Sequence, residues 1–353
     1  MTAEPATESA TDSPPVPFRY SVASLIEHPI GELGVRAQLL ESLGYQEIWV
    51  PDERLMRNVY ISLAALAGAT STVGIGTAVT NPYTRHPTLT AAAIATVDEL
   101  SGGRTTLALG AGGGLTAYGI ARPRPERALR EMVEIVRRLT ANETVAYRGE
   151  MFTLTGAHLD FPAVRPVPIS IAARGPRILQ LAGEVADGAI IGGFADEHGI
   201  RYAEEMIGRG AERAGRELSE IDRMAWLYTS VDDDPQVARI AVSKQVLASL
   251  VTSRPILDQL DLDLPRSLID HLEAAGWAYP SVTAEQASAL LPDHIVDAFA
   301  VYGTPADCAR RLSAIRALGI DHVCFVLFPP TGATVESQAT VVARQVVPLV
   351  TTA

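Results

Sequence analysis

The chain reads Val-Gly-Ile-Gly-Thr-Ala-Val over residues 73–79 and continues Thr-Asn-Pro-Tyr-Thr-Arg-His-Pro over residues 80–87. The first run is short and apolar, which predicts a buried strand. Pro87 lies where a helix could begin, because a proline at the first helical position loses no hydrogen bond. Arginine, histidine and two prolines therefore crowd the carboxyl end of a strand. In parallel α/β proteins this end carries ligand binding and chemistry.

The same alternation of apolar runs and helical patterns extends on both sides of this stretch. Strands are predicted at residues 18–24, 45–50, 73–79, 104–109, 169–172, 188–191, 224–231 and 321–328. Helical patterns follow them at residues 31–43, 58–69, 88–100, 126–139, 175–185, 197–214 and 335–350, with one more at 304–318. Strands that alternate with helices indicate parallel βαβ units. Because there are eight such strands, we predict an α/β fold of the (β/α)8 barrel class rather than an open doubly wound sheet.

Three segments depart from this rhythm. Residues 1–16 are rich in Thr, Ser, Pro, Ala and Glu, which predicts a disordered N-terminal tail before a single domain at residues 17–353. Residues 142–165 contain strand-like runs at 144–147 and 151–154, typical of an inserted hairpin. Residues 235–300 have a helical pattern throughout, which predicts a helical insertion near the last barrel units and over the carboxyl mouth. A two-domain alternative would need a boundary, and 142–165 is its only candidate.

Composition narrows the class of protein. The 353-residue chain has a formal net charge of −12 and no concentrated basic stretch, so we expect no nucleic-acid partner. No apolar run reaches transmembrane length, so no membrane partner is expected either. The two cysteines, Cys308 and Cys324, are too few for a disulfide framework, which favours a cytoplasmic location. No metal-ligand spacing is present, and the remaining expectation is a small-molecule organic substrate.

A glycine-rich run, Leu-Gly-Ala-Gly-Gly-Gly, follows the fourth predicted strand at residues 109–114. Glycines allow close approach of the backbone to a planar ring or a phosphate. The run lacks the early βαβ position and the later acidic residue of a dinucleotide fingerprint. The alternative is a mobile loop with turn glycines.

A second candidate, Ala-Ala-Arg-Gly-Pro-Arg, occupies residues 172–177 between a strand and a helix. With Pro176 at the first helical position, free backbone N–H groups together with Arg174 and Arg177 form a seat for an anion. The alternative is a solvated helix cap with two surface arginines.

Two carboxylates, Asp52 and Glu53, end the second predicted strand at the same rim. Paired carboxylates can perform acid/base chemistry because each raises the pKa of the other. In the alternative, Asp52 binds a ligand and Glu53 pairs with Arg54 or Arg57, or both are simply solvated. Arg85 and His86 have the same two interpretations, and a histidine before a helix-starting proline is more often a cap than a base.

These residues are similar to the bacterial-luciferase-like (β/α)8 superfamily, and within it to coenzyme F420-dependent methylenetetrahydromethanopterin reductases. The resemblance covers almost everything after the tail. Its motifs are specific, and they occupy residues 80–87, 93–104, 173–176, 181–188, 298–300, 303–305 and 307–308.

The resemblance implies a deazaflavin at the carboxyl mouth of the barrel and direct hydride transfer to or from it. It places a non-proline cis peptide between Ala78 and Val79, with Thr80 and Asn81 on its flank, behind the ring. It places Asp52 near the polar edge of the ring. The remaining implied contacts are Gly110, Ala111 and Gly112 beside the ring, and Ala173, Arg174, Gly175, Pro176, Ile190, Ile191 and Gly192 around the phosphate-bearing tail.

Two departures from the reductases point to a different substrate. The reductases carry an Asp-His pair where this chain has Asp52-Glu53. They carry an acidic residue in strand one where this chain has Ser21 or Ser24. Our hypothesis is therefore an F420-dependent oxidoreductase acting on another organic compound. The alternatives are an FMN-dependent monooxygenase of the same superfamily and a non-catalytic flavin-binding relative. By the same resemblance we expect a homodimer or homotetramer.

Overall fold

The computed structural model describes residues 17–23, 28–53 and 55–351. The predicted tail, Ser24 and Arg54 lie outside these residues. The strands are β1 Arg19–Ala23, β2 Glu47–Val50, β3 Gly74–Thr77, β4 Thr105–Leu109, β5 Val145–Arg148, β6 Thr153–Ala157, β7 Ile169–Ala173, β8 Gly188–Gly192, β9 Asp222–Val231, β10 Ala300–Gly303 and β11 His322–Leu327.

Eight of these strands close a parallel barrel in the order β1-β2-β3-β4-β7-β8-β9-β11, and β11 pairs with β1. They are the eight strands predicted from the sequence, and the predicted (β/α)8 class is confirmed. Most residues of these strands are buried, because one face of the barrel packs toward its interior and the other against the helices.

The helices are α1 Ile30–Ser42, α2 Val59–Ala69, α3 Pro87–Ser101, α4 Pro125–Thr140, α5 Pro176–Val185, α6 Glu197–Arg213, α7 Pro235–Ser253, α8 Arg266–Ala274, α9 Ala284–Leu290, α10 Asp293–Phe299, α11 Pro305–Ala317 and α12 Val335–Val341. Pro87 and Pro176 begin their helices, as predicted. The predicted helix over 335–350 was wrong in its second half, which forms a π turn at 342–346 and a 3-10 turn at 347–349. Pro348 has no N–H to continue the α-helical bonding there.

The helical insertion also contains an element that the sequence did not reveal. Strand β10 begins directly after α10 and pairs in parallel with residues 228–231 at the carboxyl end of β9. The amino half of β9, residues 222–226, pairs instead with β8. A four-residue strand is too short to show an alternating pattern, so residue 300 was included in the predicted helical stretch.

The segment at residues 142–165 contains strands β5 and β6, which pair antiparallel. The buried carboxylate of Glu131 on α4 anchors their turn. It accepts the backbone N–H groups of Glu150, Met151 and Phe152 at 2.8–3.0 Å. A carboxylate that accepts three backbone donors is well satisfied in a buried position, so the hairpin is held against the helix layer.

The Ser-Gly-Gly-Arg run at 101–104 belongs to the amino end of the barrel and not to the mouth. Gly102 and Gly103 adopt φ values of 71° and 86° and end α3. The guanidinium of Arg104 donates to the carbonyl oxygens of Ala67, Thr70 and Val73. These bonds satisfy the last carbonyls of α2 and the chain that leads into β3. The Ser-Gly-Gly-Arg run is therefore structural.

Candidate active site

The carboxyl ends of β2, β3 and β4 meet around a bulge at the end of β3. The peptide bond between Ala78 and Val79 is cis, as the resemblance implied. On one side the Ala78 N–H donates to the Val50 carbonyl at 2.7 Å. Beyond the bulge the Thr80 carbonyl accepts the Gly110 N–H at 2.8 Å, so the strand rejoins β4. Val79 is thereby turned toward the glycine-rich run.

Gly110 is the residue that makes room for this bulge. A Cβ atom at Gly110 would lie 2.5 Å from Cγ2 of Val79, closer than real side chains approach. The neighbouring Gly113 has nothing within 4 Å of such an atom. Gly112 and Gly114 both adopt φ of 75°, which only glycine takes up without strain. The first glycine therefore fits the bulge, and the later ones shape the turn.

Asp52 lies beside the bulge, where two side chains of the protein donate hydrogen bonds to it. Its Oδ2 atom accepts the Thr80 hydroxyl at 2.7 Å and the Arg85 guanidinium at 2.5 Å. Arg85 stacks over the ring of Tyr60, 5.1 Å from its centroid. Burial raises the pKa of Tyr60 to about 12, so its phenol stays neutral. Asp52 thus ties the segment after the bulge to β2, and its contact with a ligand stays a prediction.

The remaining residues of the opening stretch also have structural bonds. The side-chain oxygen of Asn81 accepts the N–H groups of Tyr83 and Thr84 at 2.9 and 3.0 Å. The His86 ring caps α3 by accepting the Thr88 N–H, as the cap interpretation predicted. Glu53 is exposed at the rim. Its role as an acid or base stays a prediction.

The first turn of α5 is open at the next strand ends. Gly175 is its N-cap residue, no side chain caps the helix, and a Cβ atom at Gly175 would meet nothing within 4 Å. Backbone N–H groups at such an end attract anions. The preceding residue Ala173 ends β7, and Pro176 begins the helix. This part of the predicted anion seat is geometrically available.

Arg174 points away from that helix end. Its Nε atom donates to the Gly192 carbonyl at 2.8 Å, and its Nη2 atom donates to the Tyr228 hydroxyl at 2.7 Å. Its Nη1 atom donates to the Thr252 hydroxyl on α7. Arg174 as a ligand for a phosphate stays a prediction, but its guanidinium already has protein acceptors.

The residues predicted on β8 occupy different environments. Ile190 and Ile191 are adjacent in the strand, so their side chains point to opposite faces, although both are buried. Only one of them can face the barrel interior. Tyr228 and Thr252 were missed by the sequence reasoning. The Gly-Gly pair at residues 192–193, directly after a strand, was the available signal for a close approach there.

Ser21, one of the two strand-one serines noted in the sequence, lies in a polar cluster at the amino end of the barrel and not at the carboxyl mouth. Its hydroxyl is 2.8 Å from Nε2 of His322 and 3.4 Å from Oε2 of Glu47. His322 and Glu47 are the first residues of their strands, and Nδ1 of His322 is 3.2 Å from Oδ2 of Asp222, the first residue of β9. A strand position whose side chain is directed into this cluster cannot serve the carboxyl mouth.

Ionisation stabilises the same cluster. Burial would raise the pKa of Asp222, but the His322 and Arg19 bonds lower it to about 2. Burial would lower the pKa of His322, but its hydrogen bonds with Asp222 and Glu47 outweigh burial and raise it. The imidazolium form is therefore favoured, and such a group is a poor general base.

Residues 17–23, 28–53 and 55–351 contain neither a candidate metal centre nor a helix suited to cross a membrane. No group of three or more His, Cys, Asp or Glu side chains among them could hold a metal ion. No helix in this part of the chain combines the length and the apolar character needed to cross a membrane. Cys308 and Cys324 are both buried and unpaired, and burial raises the pKa of the Cys308 thiol to about 12.

The closed parallel barrel with a cis bulge at the carboxyl end of its third strand is the arrangement that the resemblance to luciferase-like (β/α)8 proteins implied. The profile of the luciferase-like monooxygenase family matches residues 10–322, and the chain belongs to this family of enzymes.

Individual relatives narrow the comparison. The chain is 33% identical over 333 residues to the 5,10-methylenetetrahydromethanopterin reductase of Methanolobus tindarius, which covers 93% of this chain and 99% of the relative. It is 32% identical over 245 residues to the F420-dependent glucose-6-phosphate dehydrogenase of Kineococcus radiotolerans, covering 65% and 72% of the two chains. The solved coenzyme F420-dependent tetrahydromethanopterin reductase of Methanopyrus kandleri shares the fold, with a TM-score of 0.83 at 23% identity over 95% of this chain and all of that one.

Proposed function

We propose that the protein is an F420-dependent oxidoreductase that transfers a hydride between the deazaflavin and an organic substrate. When bound, the deazaflavin supplies the hydride donor or acceptor, and the protein supplies position and electrostatics. The relatives reported above carry this cofactor in their names or belong to the reductase group. The names of these relatives support F420 rather than FMN as the cofactor.

The observation that carries the proposal is the bulge and the space around it. Val79 is turned toward Gly110, where a Cβ atom would clash, so the backbone here is shaped to a close fit. Further along the same mouth, the open first turn of α5 offers N–H donors for an anionic group. The bulge would support the ring, with Asp52, Thr80 and Asn81 beside it. Gly110, Ala111 and Gly112 would line its side, and Ala173, Gly175 and Pro176 would hold the tail.

A substrate other than the reduced pterin is part of the proposal. Ser21 has no carboxylate, and its hydroxyl lies in the amino-end cluster with His322, away from the mouth. The residue after Asp52 is glutamate and not histidine. Glu53 is exposed at the rim and would be the group that exchanges a proton with the substrate.

Binding of F420 and FMN to the apo-protein tests the cofactor assignment. Each cofactor is titrated while its visible absorption is followed. Saturable binding of F420 with weak or no FMN binding is expected. Tight FMN binding without a response to F420 would replace the proposal with the monooxygenase alternative. If none of the organic compounds tested oxidises the bound reduced F420, the non-catalytic alternative is favoured.

Glu53→Gln tests the proton-exchange role. The variant keeps the shape of the side chain but cannot ionise, so turnover should fall while F420 affinity stays the same. Asp233→Asn, which alters an exposed carboxylate just after β9 at the same end of the barrel, is the matched control. Unchanged turnover in Glu53→Gln would show that this carboxylate takes no part in proton exchange.

We further propose that the protein is a homodimer joined through α2 and α3. Helix α2 contains no charged residue, yet one of its sides is exposed. A helix that is apolar all round is usually buried. The adjoining side of α3 is also uncharged. Together the two sides present Ile61, Ala64, Ala65, Gly68, Leu89, Ala92, Thr96 and Leu100, with Ile61 62% and Leu89 64% exposed. A second copy offers a face of the same character, as an isologous interface requires.

Light scattering after size-exclusion chromatography tests the dimer. The double variant Ile61→Glu, Leu89→Glu should shift the protein to a monomer, because two carboxylates would be buried without partners. Val164→Glu, at an apolar side chain 57% exposed elsewhere, is the control and should not change the mass. A wild-type monomer, or a double variant that stays dimeric, would contradict this interface.

A further inference from the structure

Arg174 joins four separate parts of the carboxyl mouth. It follows β7, it donates to the Gly192 carbonyl at the end of β8, and it donates to the Tyr228 hydroxyl near the end of β9. From the same guanidinium, Nη1 donates to Thr252 in the last turn of α7. A planar guanidinium has five N–H donors in a rigid fork, so it can hold several acceptors in one geometry.

The backbone under this guanidinium is shaped to receive it. A Cβ atom at Gly192 would lie 3.2 Å from Cγ of Arg174. Gly193 has φ of 70°, and a Cβ atom there would lie 2.8 Å from Nη2 of Arg174 and 3.2 Å from Cε2 of Tyr228. The two glycines after β8 thus form a cradle for the Arg174–Tyr228 pair. The sequence signal of a Gly-Gly pair is explained without a ligand.

Tyr228 is the buried partner in this arrangement. Its side chain is 5% exposed, and its ring packs edge-on against Phe328 at 5.8 Å between centroids. Burial would raise the pKa of Tyr228, but the charge of Arg174 and hydrogen bonds from Ser249 and Gln245 lower it. Ser249 and Gln245 both belong to α7. The phenol therefore connects the barrel to α7, as Arg174 does.

Helix α7 runs from the end of β9 to the site of these contacts. It begins at Pro235, soon after β9, and its last two turns carry Ser249 and Thr252, which face Arg174. The last turns of α7 consequently lie over the neighbouring carboxyl ends of β7, β8 and β9. They form a wall at the side of the mouth where the open turn of α5 begins.

We propose that Arg174 is a positioning residue that latches α7 to the mouth through Tyr228 and Thr252, rather than a ligand for the cofactor. The latch sets the distance between the α7 wall and the first turn of α5. It thereby controls entry and exit of the molecule bound between them. The proposal rests on the proposed function only in taking this mouth as the cofactor site.

The decisive variant is the double substitution Tyr228→Phe, Thr252→Val. It removes the two closest acceptors of Arg174 and leaves its longer contacts with Ser249 and Ser253 on α7, at 3.4–3.5 Å, in place. It is compared with Arg174→Ala, with the triple combination, and with Thr340→Val, whose hydroxyl donates to the Glu336 carbonyl of its own helix. Hydrogen exchange of residues 235–253 is measured without cofactor. Stopped-flow absorption then gives the association and dissociation rates of F420.

In the latch model, the double variant and Arg174→Ala each accelerate exchange in the last turns of α7 about tenfold or more. Both also raise the association and dissociation rates of F420 together, so that its Kd changes less than threefold. In the triple variant, α7 exchange and the F420 rates increase no more than in Arg174→Ala, because the three groups act as one unit. A merely structural role would lower Tm without changing the association rate.

Two results would overturn the latch. If the double variant leaves α7 exchange unchanged, these bonds do not hold the helix. If Arg174→Ala raises the F420 Kd tenfold or more while the double variant does not, Arg174 binds the cofactor directly. Exchange is read on the cofactor-free protein, so failure of F420 to bind at all would refute the proposed function and leave the latch testable.

Discussion

The contact between Gly110 and Val79 gives the sharpest test of the site's construction. In Gly110→Ala the new methyl group would lie 2.5 Å from Cγ2 of Val79 and 3.5 Å from its Cβ. The clash therefore involves a single methyl group of one neighbour. Overpacking of this kind costs about 1–3 kcal/mol. We expect a loss of stability of that size and weaker F420 binding, because the displaced side chain belongs to the bulge.

Val79→Ala removes the clashing methyl group, so it should relieve most of this cost. Alone it should cost about 1 kcal/mol, because two methyl groups of a half-buried side chain are lost. In the double variant the nearest remaining contact is ordinary, at 3.5 Å. Its stability should match that of Val79→Ala alone, giving a coupling energy of about 1–3 kcal/mol in a double-mutant cycle.

Urea unfolding measures the stability, and titration with F420 measures the affinity. Gly113→Ala is the matched control, because a Cβ atom there meets nothing within 4 Å. It should change stability by less than about 0.5 kcal/mol. Strict additivity of the Gly110 and Val79 substitutions would refute the reasoning, because it would mean that the two side chains do not compete for space.

Three further substitutions test electrostatic contacts by unfolding at several pH values. His322→Gln should destabilise most below about pH 6.5, and the deficit should vanish as pH rises through the raised pKa of His322, where the wild type also loses its charge. Burial would raise the pKa of Glu41, but N–H groups of residues 71–73 lower it to about 2. Solvent screens this partly exposed carboxylate, so Glu41→Gln should cost only about 1 kcal/mol at pH 7, and the cost should disappear as pH falls from about 4.3 toward 2. Asp52→Asn should weaken its bond with Arg85 and lower Tm, and equal Tm values would show that the bond is not stabilising.

Much of the site's location could be predicted from local sequence. The run at residues 73–87 predicted the strand and the helix that starts at Pro87, whereas the bulge between them was implied by the family resemblance. The strand and the helix depend on hydrophobic period and on proline chemistry, which are local properties. The cap formed by His86 followed from the same local rule.

Bonding partners could not be predicted in this way, because they come from distant parts of the chain. Arg174 was expected to face an anion, yet its guanidinium reaches Thr252 on a helix 78 residues later in the sequence. Asp52 is bonded by Arg85 across 33 residues. The direction of a long side chain depends on which acceptors the fold brings within reach, and local sequence does not specify them.

The sequence by itself determined the architecture: eight apolar strands with helices between them, a closed barrel, and a carboxyl rim that begins at residues 80–87. Burial drives that result, since strands that are apolar on both faces must be covered on both sides. Only the tertiary structure decided the use of individual residues. It placed Ser21 with His322 at the amino end, and it tied Arg174 to Tyr228 and α7. Polar bonds depend on distances of a few tenths of an ångström between remote elements, whereas the hydrophobic pattern that selects the barrel does not.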